Sequence, residues 1–493
     1  EMKKLRYIIS NGLLIILMSL CSCESWINVT PSDRLSEDML FKDREGFVKA
    51  LNGVYIELNT TQLYGLDLTA GALDAMGQYY TNFSSSRHAF HQYIKLIFTG
   101  TNEKTLFDNM WKKCYLVIAN CNTIIEKCGK KNDNLPEPYF SMIKGEALAL
   151  RGMLHFDMLR LFGPIPSELS KESIPYQTTS KQQMSSLLPG TEALELVIKD
   201  LKDALDLLKM SDPYLVENKN VYDDTDVNLR QFRMNYYAVK ALLARVYLWG
   251  GDRTLAYATA IEILKAVRDS GTELFPFVTN AAATSSSTPD RVFSTEVLFG
   301  CYNSSRGTIH ETLFAPTLET AKILTFAGTL NSGRVEELYD DKNDYRYKIW
   351  ATYNNNGNSV LYHRKYEDFE DNSGTRTYRY MVPLIRLSEV YLIAAECCDD
   401  LDEAVGYLNT LRNARNCFSV YPTVDGLKNY IASEYRKEML GEGQMFFFYK
   451  RKEIVNIPNG TQASGTMNVE LNKYVVPLPD SETSQRTNTD TSK

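Results

Sequence analysis

Four tryptophans and five histidines in 493 residues leave little of the chemistry that catalytic signatures are built on. There is no G-x-S-x-G elbow, no H-E-x-x-H, no P-loop and no G-x-G-x-x-G. Their absence removes the common nucleophile, zinc-protease, phosphate-loop and dinucleotide signatures. No C-x-x-C occurs, so no zinc ribbon or redox dithiol is offered. His88 and His91 are three apart, but in a Ser-rich aromatic segment that reads as packing rather than as a metal site. No cofactor and no metal are expected. The net charge of −7 provides no basic stripe, which argues against a nucleic-acid partner. With 61 acidic residues, a carboxylate pair of glycosidase type stays open as an alternative.

Long apolar runs are also missing. The only candidate, residues 8–20, falls short of the roughly 20 residues that span a bilayer. It follows Lys3, Lys4 and Arg6, and a basic start with a short apolar stretch reads as an export signal. Its end, "LCSCES", resembles the bacterial lipobox. Leu20 takes position −3 and Ser22 position −1, which makes Cys23 the acylated residue and residues 1–22 a lipoprotein signal peptide. Cys21 fits worse, because Leu20 would then occupy −1. Lipidation changes the expected state from secreted to membrane-anchored.

Of the nine cysteines, Cys114, Cys121 and Cys128 recur at every seventh position. On a helix each step is about 10.5 Å of rise, beyond disulfide reach. They share a face with Leu106, Met110, Val117, Ile118, Ile124 and Ile125, so they read as buried core thiols. Cys397 and Cys398 are adjacent at the end of an apolar helix. The state of Cys301 and Cys417 stays open.

Helical periodicity dominates. Phe47, Leu51, Val54 and Leu58 make one apolar face. "EPYFSMIKGEALALRGMLHFDMLRLFG" is a helix stopped by Gly163-Pro164. Two further segments read as helix, turn, helix. One is "MNYYAVKALLARVYLWGGDRTLAYATAIEILKAV"; the other is "RLSEVYLIAAECCDDLDEAVGYLNTLRNA". Small residues at the crossings, such as Ala238, Ala241, Ala394 and Ala395, resemble those of tetratricopeptide repeats. Between the helices, residues 60–102 and 272–380 carry Ser/Thr/Asn/Gly clusters that read as loops, with short strands near residues 292–299 and 360–366. The expected fold is mainly α: a scaffold of TPR-like helical pairs with long irregular loop insertions and a few short strands. The organisation expected is a helical region over 23–270 and a loop-bearing region with closing helices over 271–493.

Several segments in order resemble the SusD/RagB family of outer-membrane lipoproteins. They are "CSCESWINVTPSD", "EALALRGMLHFDMLRLFGPIP", "MVPLIRLSEVYLIAAE" with an Arg386/Glu389 pair, "LNTLRNAR", "SEYRKEMLGEGQMFFFYKRK" and "YVVPLP". The chain departs from the family pattern at Gln444, where Arg is usual, and in lacking a Trp after Lys450-Arg451. The resemblance implies a non-catalytic lipoprotein that captures an oligosaccharide and delivers it to a SusC-like TonB-dependent receptor. A peptide is the ligand of some members, and a lipid-anchored glycosidase is the remaining reading. By residue chemistry alone, Arg151, Arg160, Arg436, Glu438 and Glu442 read as ion pairs that lock helices.

Sugar rings lie on flat aromatic faces, and their hydroxyls are taken by amides and charged groups. Two loop clusters offer that mixture. One is Tyr79, Tyr80, Asn82, Phe83 and Arg87; the other is Tyr302, Asn303 and Arg306. Alternation in an extended loop predicts that at most one of Tyr79 and Tyr80 faces a ligand while the other pins the loop.

Overall fold

A computed structural model of the chain describes residues 37–81, 88–181, 183–269, 274–319, 321–355 and 357–490. The export signal and Cys23 lie outside the described residues, as do Asn82, Phe83 and Arg87. Helices of seven residues or more are numbered here. The first six are α1 (Arg44–Leu58), α2 (Thr101–Cys128), α3 (Tyr139–Phe162), α4 (Gly190–Leu208), α5 (Tyr236–Trp249) and α6 (Arg253–Asp269). The rest are α7 (Gly307–Leu313), α8 (Leu387–Cys397), α9 (Leu401–Ala414), α10 (Val424–Glu438), α11 (Met445–Lys452) and α12 (Asp480–Asp490). Starts are set by local side chains. Asp43, Asn235, Asp400 and Thr423 each accept from a backbone N–H three residues on, which satisfies an otherwise orphaned donor.

Consecutive helices pack as pairs, α3 on α4, α5 on α6 and α8 on α9, and α6 packs on α8, so one array runs through both regions. Helix α3 lies at its centre, buried at every position but Phe140 and Lys144. A helix apolar or internally paired all round belongs inside a core. Gly145 and Gly152 let α4 approach it. A Cβ at Gly145 would meet Leu208 Cγ at 2.9 Å, and one at Gly152 would meet Leu201 Cδ2 at 3.3 Å. The charged groups of α3 are paired, as the residue chemistry predicts. Arg151 donates to both oxygens of Asp200 and, at 2.8 Å, to Asn122. Arg160 binds Asp157 and donates to Gln444 at 2.9 Å. The three heptad cysteines are free and fully buried, and Cys301 and Cys417 are free as well.

Among the described residues, strands occur as four two-stranded antiparallel ribbons: β1 (Val297–Tyr302) with β6 (Met381–Arg386), β2 (Gly328–Thr329) with β3 (Ser332–Gly333), β4 (Trp350–Asn355) with β5 (Asn358–His363), and β7 (Asn456–Pro458) with β8 (Thr466–Asn468).

Residues 63–80 depart from the expected exposed loop: apart from Leu66, all are buried. The segment is locked to the turn after α10. The Asp74 carboxylate accepts from Gly443 N at 2.8 Å, from Gly441 N and from Tyr80 at 3.1 Å. Both glycines hold left-handed backbone, φ +82° and +70°, and a Cβ at Gly443 would lie 2.2 Å from Leu68 O.

A charge network, buried but for the part-exposed Asp340 at its edge, ties the β1/β6 ribbon to α9 and α10. Its cations are Arg346, Lys365, Arg386, Arg412, Arg415 and Lys437; its carboxylates are Glu296, Asp340, Asp344, Glu434, Glu438 and Glu442. Six charges of each sign leave the cluster neutral. Burial alone would raise the Glu434 carboxyl, but Arg346, Lys437 and Arg412 outweigh it and hold it at about 2. Two expected pairings differ here. Arg386 binds Glu296, Glu438 and Glu442, while Glu389 is taken by Arg245. Among the described residues Arg436 meets no carboxylate; it donates to Gly77 O, Gln78 O and the Tyr449 hydroxyl.

Candidate functional site

The β1/β6 ribbon carries a strip of part-exposed aromatic rings at its open end. Strand β1 is buried until its last residue, Tyr302, which is 44% exposed. Tyr302 pairs with Met381, and Asn303 N donates to Tyr380 O at 2.7 Å, which brings the turn before β6 alongside. The Tyr302 ring then lies 5.3 Å from Phe232 and 5.3 Å from Tyr380. Phe369 and Tyr378 extend the strip with centroids 5.5 Å apart. Arg379 lies over Tyr380 at 5.6 Å and grips Asp368 through two bonds of 2.7 and 2.6 Å.

Support comes from beneath. Arg306, only 2% exposed, donates to Tyr378 O at 2.9 Å, and Tyr378 donates to Thr288 O at 2.9 Å. Burial pushes the Arg306 guanidinium down to about 10. Asn303 spends its side-chain oxygen on Ser305 N. So of the second sequence cluster, Tyr302 presents a ring, Asn303 shapes the turn and Arg306 props the strip from inside. Phe369, Tyr378, Arg379 and Tyr380 were missed, because only the pairing of strands distant in sequence brings them to Tyr302. The aromatic and basic run "TYRY" just ahead of an apolar strand was the available signal.

Of the first cluster, Asn82, Phe83 and Arg87 lie outside the described residues, and Tyr79 and Tyr80 are elsewhere and otherwise employed. Tyr79 and Tyr80 are 0% and 1% exposed. The Tyr79 hydroxyl donates to Arg436 O at 2.7 Å, and Tyr80 donates to Asp74. At most one of them is expected to face outward, and neither does: each hydroxyl finds its partner inside, and the rings pack on Phe326 and Phe314. His88 bonds Lys322 O, and no group of three His, Cys, Asp or Glu able to hold a metal occurs among the described residues.

The strip offers flat rings beside a fixed ion pair, the mixture that suits binding of a sugar. A glycosidase needs a carboxyl kept protonated near neutral pH beside a second, ionised one. Here Asp368 is held below its usual range by its bonds to Arg379, and Asp371 by Ser373 and the Arg376 backbone. Two larger cavities lie away from the strip. One of about 650 Å³ runs between α2, residues 175–185 and α12, and its polar lining is bonded within the chain: Tyr115 to Pro175 O, Gln177 to Gln183 and Ser185. The other, about 880 Å³, lies between the α5–α6 and α8–α9 turns.

Comparison with known proteins gives a consistent result. Residues 50–248 match the family described as "Starch-binding associating with outer membrane", and residues 320–491 match the SusD family. A SusD-like protein of Formosa agariphila is 28% identical over 211 residues, which cover 41% of this chain and 38% of that relative. A SusD superfamily protein of Bacteroides thetaiotaomicron superposes with a TM-score of 0.69 at 22% identity, over 90% of this chain and 98% of the other. A putative sugar binding protein of Bacteroides vulgatus gives 0.67 at 24% identity, over 90% and 96%. Surface glycan-binding protein A of B. thetaiotaomicron gives 0.63 at 16% identity, over 91% and 98%. The described helices include none long and apolar enough to cross a membrane.

Proposed function

Because the chain belongs to the SusD/RagB family, we propose that it is an outer-membrane carbohydrate-binding lipoprotein that holds an oligosaccharide on the Tyr302–Tyr380 strip without cleaving it. The anchor is acylated Cys23, and the partner that receives the ligand is a SusC-like TonB-dependent barrel. The observation that carries the reading is the strip itself. Tyr302, Tyr380, Phe369 and Tyr378 give flat apolar faces to sugar C–H groups, while Arg379 and Asp368 give fixed donors and acceptors to hydroxyls. Its backbone is pinned from below by Arg306, so little ordering entropy is lost on binding.

The test is calorimetric titration of the mature chain with a panel of oligosaccharides, with chromatography of each mixture after long incubation. Binding with no shorter sugars, weakened by Tyr302→Ala, is the expected result. Steady release of shorter sugars by clean protein would establish the glycosidase reading instead. Binding of peptides and of no glycan would make it a peptide-capturing member.

A further inference from the structure

Arg160 and Trp249 each keep one buried N–H, at Nε and Nε1, that finds no acceptor among the described residues. Both residues are 2% exposed, and both line one cavity of about 20 Å³ between α3, α5, α8, α10 and α11. The rest of its wall includes Glu389, whose carboxylate is held by Arg245, and Tyr435, whose hydroxyl reaches Glu389 only at 3.5 Å. An orphaned donor in a dry core costs about 1–3 kcal/mol, and two on residues that line the same small space call for a shared acceptor.

We infer that this cavity is a binding site for a single water molecule, which joins the helical pairs at their centre. It accepts from Arg160 Nε–H and Trp249 Nε1–H and donates to Glu389 and Tyr435, so all four of its bonds are used. The cavity is small, about 20 Å³, and large enough to admit a water. Charge decides against a halide. Arg160, Arg245 and Arg451 line the cavity, but Asp157, Glu389 and Glu396 already pair with them, and the Glu389 carboxylate on the wall repels an anion.

The inference ties Arg160 of α3 and Trp249 of α5 to the Glu389–Tyr435 pair of α8 and α10. It also gives the motif arginine Arg160 a complete set of partners: Asp157, Gln444 and the water.

Two measurements test it, and both must agree. A high-resolution crystal structure of the mature chain, with a bromide-soaked companion, should show one peak about 2.7–3.2 Å from both nitrogens and no anomalous signal there. Absence of a peak, or bromide in its place, overturns the proposal. Benzothienylalanine placed at position 249 alone keeps the ring's shape and replaces the N–H by sulfur. If water holds that N–H, melting temperature falls, by roughly 1–2 °C for a chain of this size. If the N–H is unbonded, removing it leaves the melting temperature unchanged or raises it, and the proposal fails.

Discussion

Glu438 touches three buried guanidinium groups, and neutralising it is the sharpest test of the charge network. Its oxygens accept from Arg386 at 2.6 Å, from Arg415 at 2.7 Å and from Arg346 at 2.7 Å, and all four side chains are at most 1% exposed. Glu438→Gln keeps the shape but leaves six cations against five carboxylates. The amide also points two N–H donors at groups that only donate. Breaking a buried pair costs about 3–5 kcal/mol, because the surviving charge is stranded rather than rehydrated. Three partners instead of one place this site toward the upper end, even though each arginine keeps another carboxylate. That is a large part of a typical stability of roughly 5–15 kcal/mol. With a urea slope of about 3–5 kcal/mol/M for a chain of this size, the midpoint should fall by roughly 1 M. The sign with pH is also fixed. The arginines hold the Glu438 carboxyl well below its ordinary value against the pull of burial. A depressed carboxyl stabilises above the unfolded pKa, about 4.3, and that contribution is lost as pH falls toward the folded one. The gap between wild type and variant should therefore be constant from pH 8 to 5 and shrink below about 4. Asp425→Asn, which removes an exposed pair with Lys428, is the control and should leave the midpoint in place. A loss below about 1 kcal/mol for Glu438→Gln, or a gap unchanged down to pH 3, would refute the reasoning.

Other expectations follow from single sites. Tyr302→Ala should weaken glycan binding by about 1–3 kcal/mol, by analogy with bases stacked on aromatics, with little change in melting. Tyr79→Ala should lower stability by about 3–5 kcal/mol and leave affinity alone, as titration and melting of both variants will show. Thiol labelling of Cys114, Cys121 and Cys128 should be slow in native protein and fast in denaturant, since burial pushes Cys121 and Cys128 up to about 12; rapid native labelling would contradict their position. Burial lowers His155 to about 3, and its neighbours suit the neutral ring, with Gln177 N donating to Nε2 at 2.9 Å and Nδ1 3.0 Å from Arg151 O. The unfolded chain therefore takes up this proton first as pH falls below about 6.5, costing about 1.4 kcal/mol per pH unit, and His155→Asn should flatten the stability curve between pH 6.5 and 4.5 by one proton. Cys23→Ala should release the protein from the membrane fraction, whereas Cys21→Ala should not.

The helical scaffold was legible because its signals are local. The α5 and α6 helices meet where Gly250-Gly251-Asp252 interrupts the periodicity, and the heptad of cysteines marks the inner face of α2. Residues 63–80 misled for the opposite reason. Polar and aromatic residues in a non-periodic run read as a surface loop, and what buries them is remote: Tyr79 bonds a carbonyl 357 residues away, and Asp74 bonds amides 367 and 369 residues away. The candidate site was half legible for a related reason. Tyr302 stands in a polar loop and drew notice, while Tyr378 and Tyr380 become its neighbours only through the β1/β6 pairing.

Gln444 shows how a departure from a family pattern can be consistent with its surroundings. The usual arginine at this position would enter space already crowded with positive charge. The Arg160 guanidinium lies 3.9 Å from the Phe447 ring centre. The buried Lys450 ammonium reaches only the carbonyls of Leu161 and Gly163, at 3.3 and 2.7 Å, and both burial and Arg160 push its pKa well below the ordinary value. Among the described residues, the single carboxylate bonded to Arg160 is Asp157. Glutamine suits that setting because it brings an acceptor and a donor without a charge. Its Oε1 accepts from Arg160 at 2.9 Å, and its Nε2 donates to Glu442 O at 3.1 Å. Glu442 is in turn a member of the neutral network, bonded to Arg386 and Lys365. An uncharged residue thus joins Arg160 on α3 to the network around α10 without upsetting the balance of six against six. Family likeness identifies the position, and the count of charges around it explains the residue.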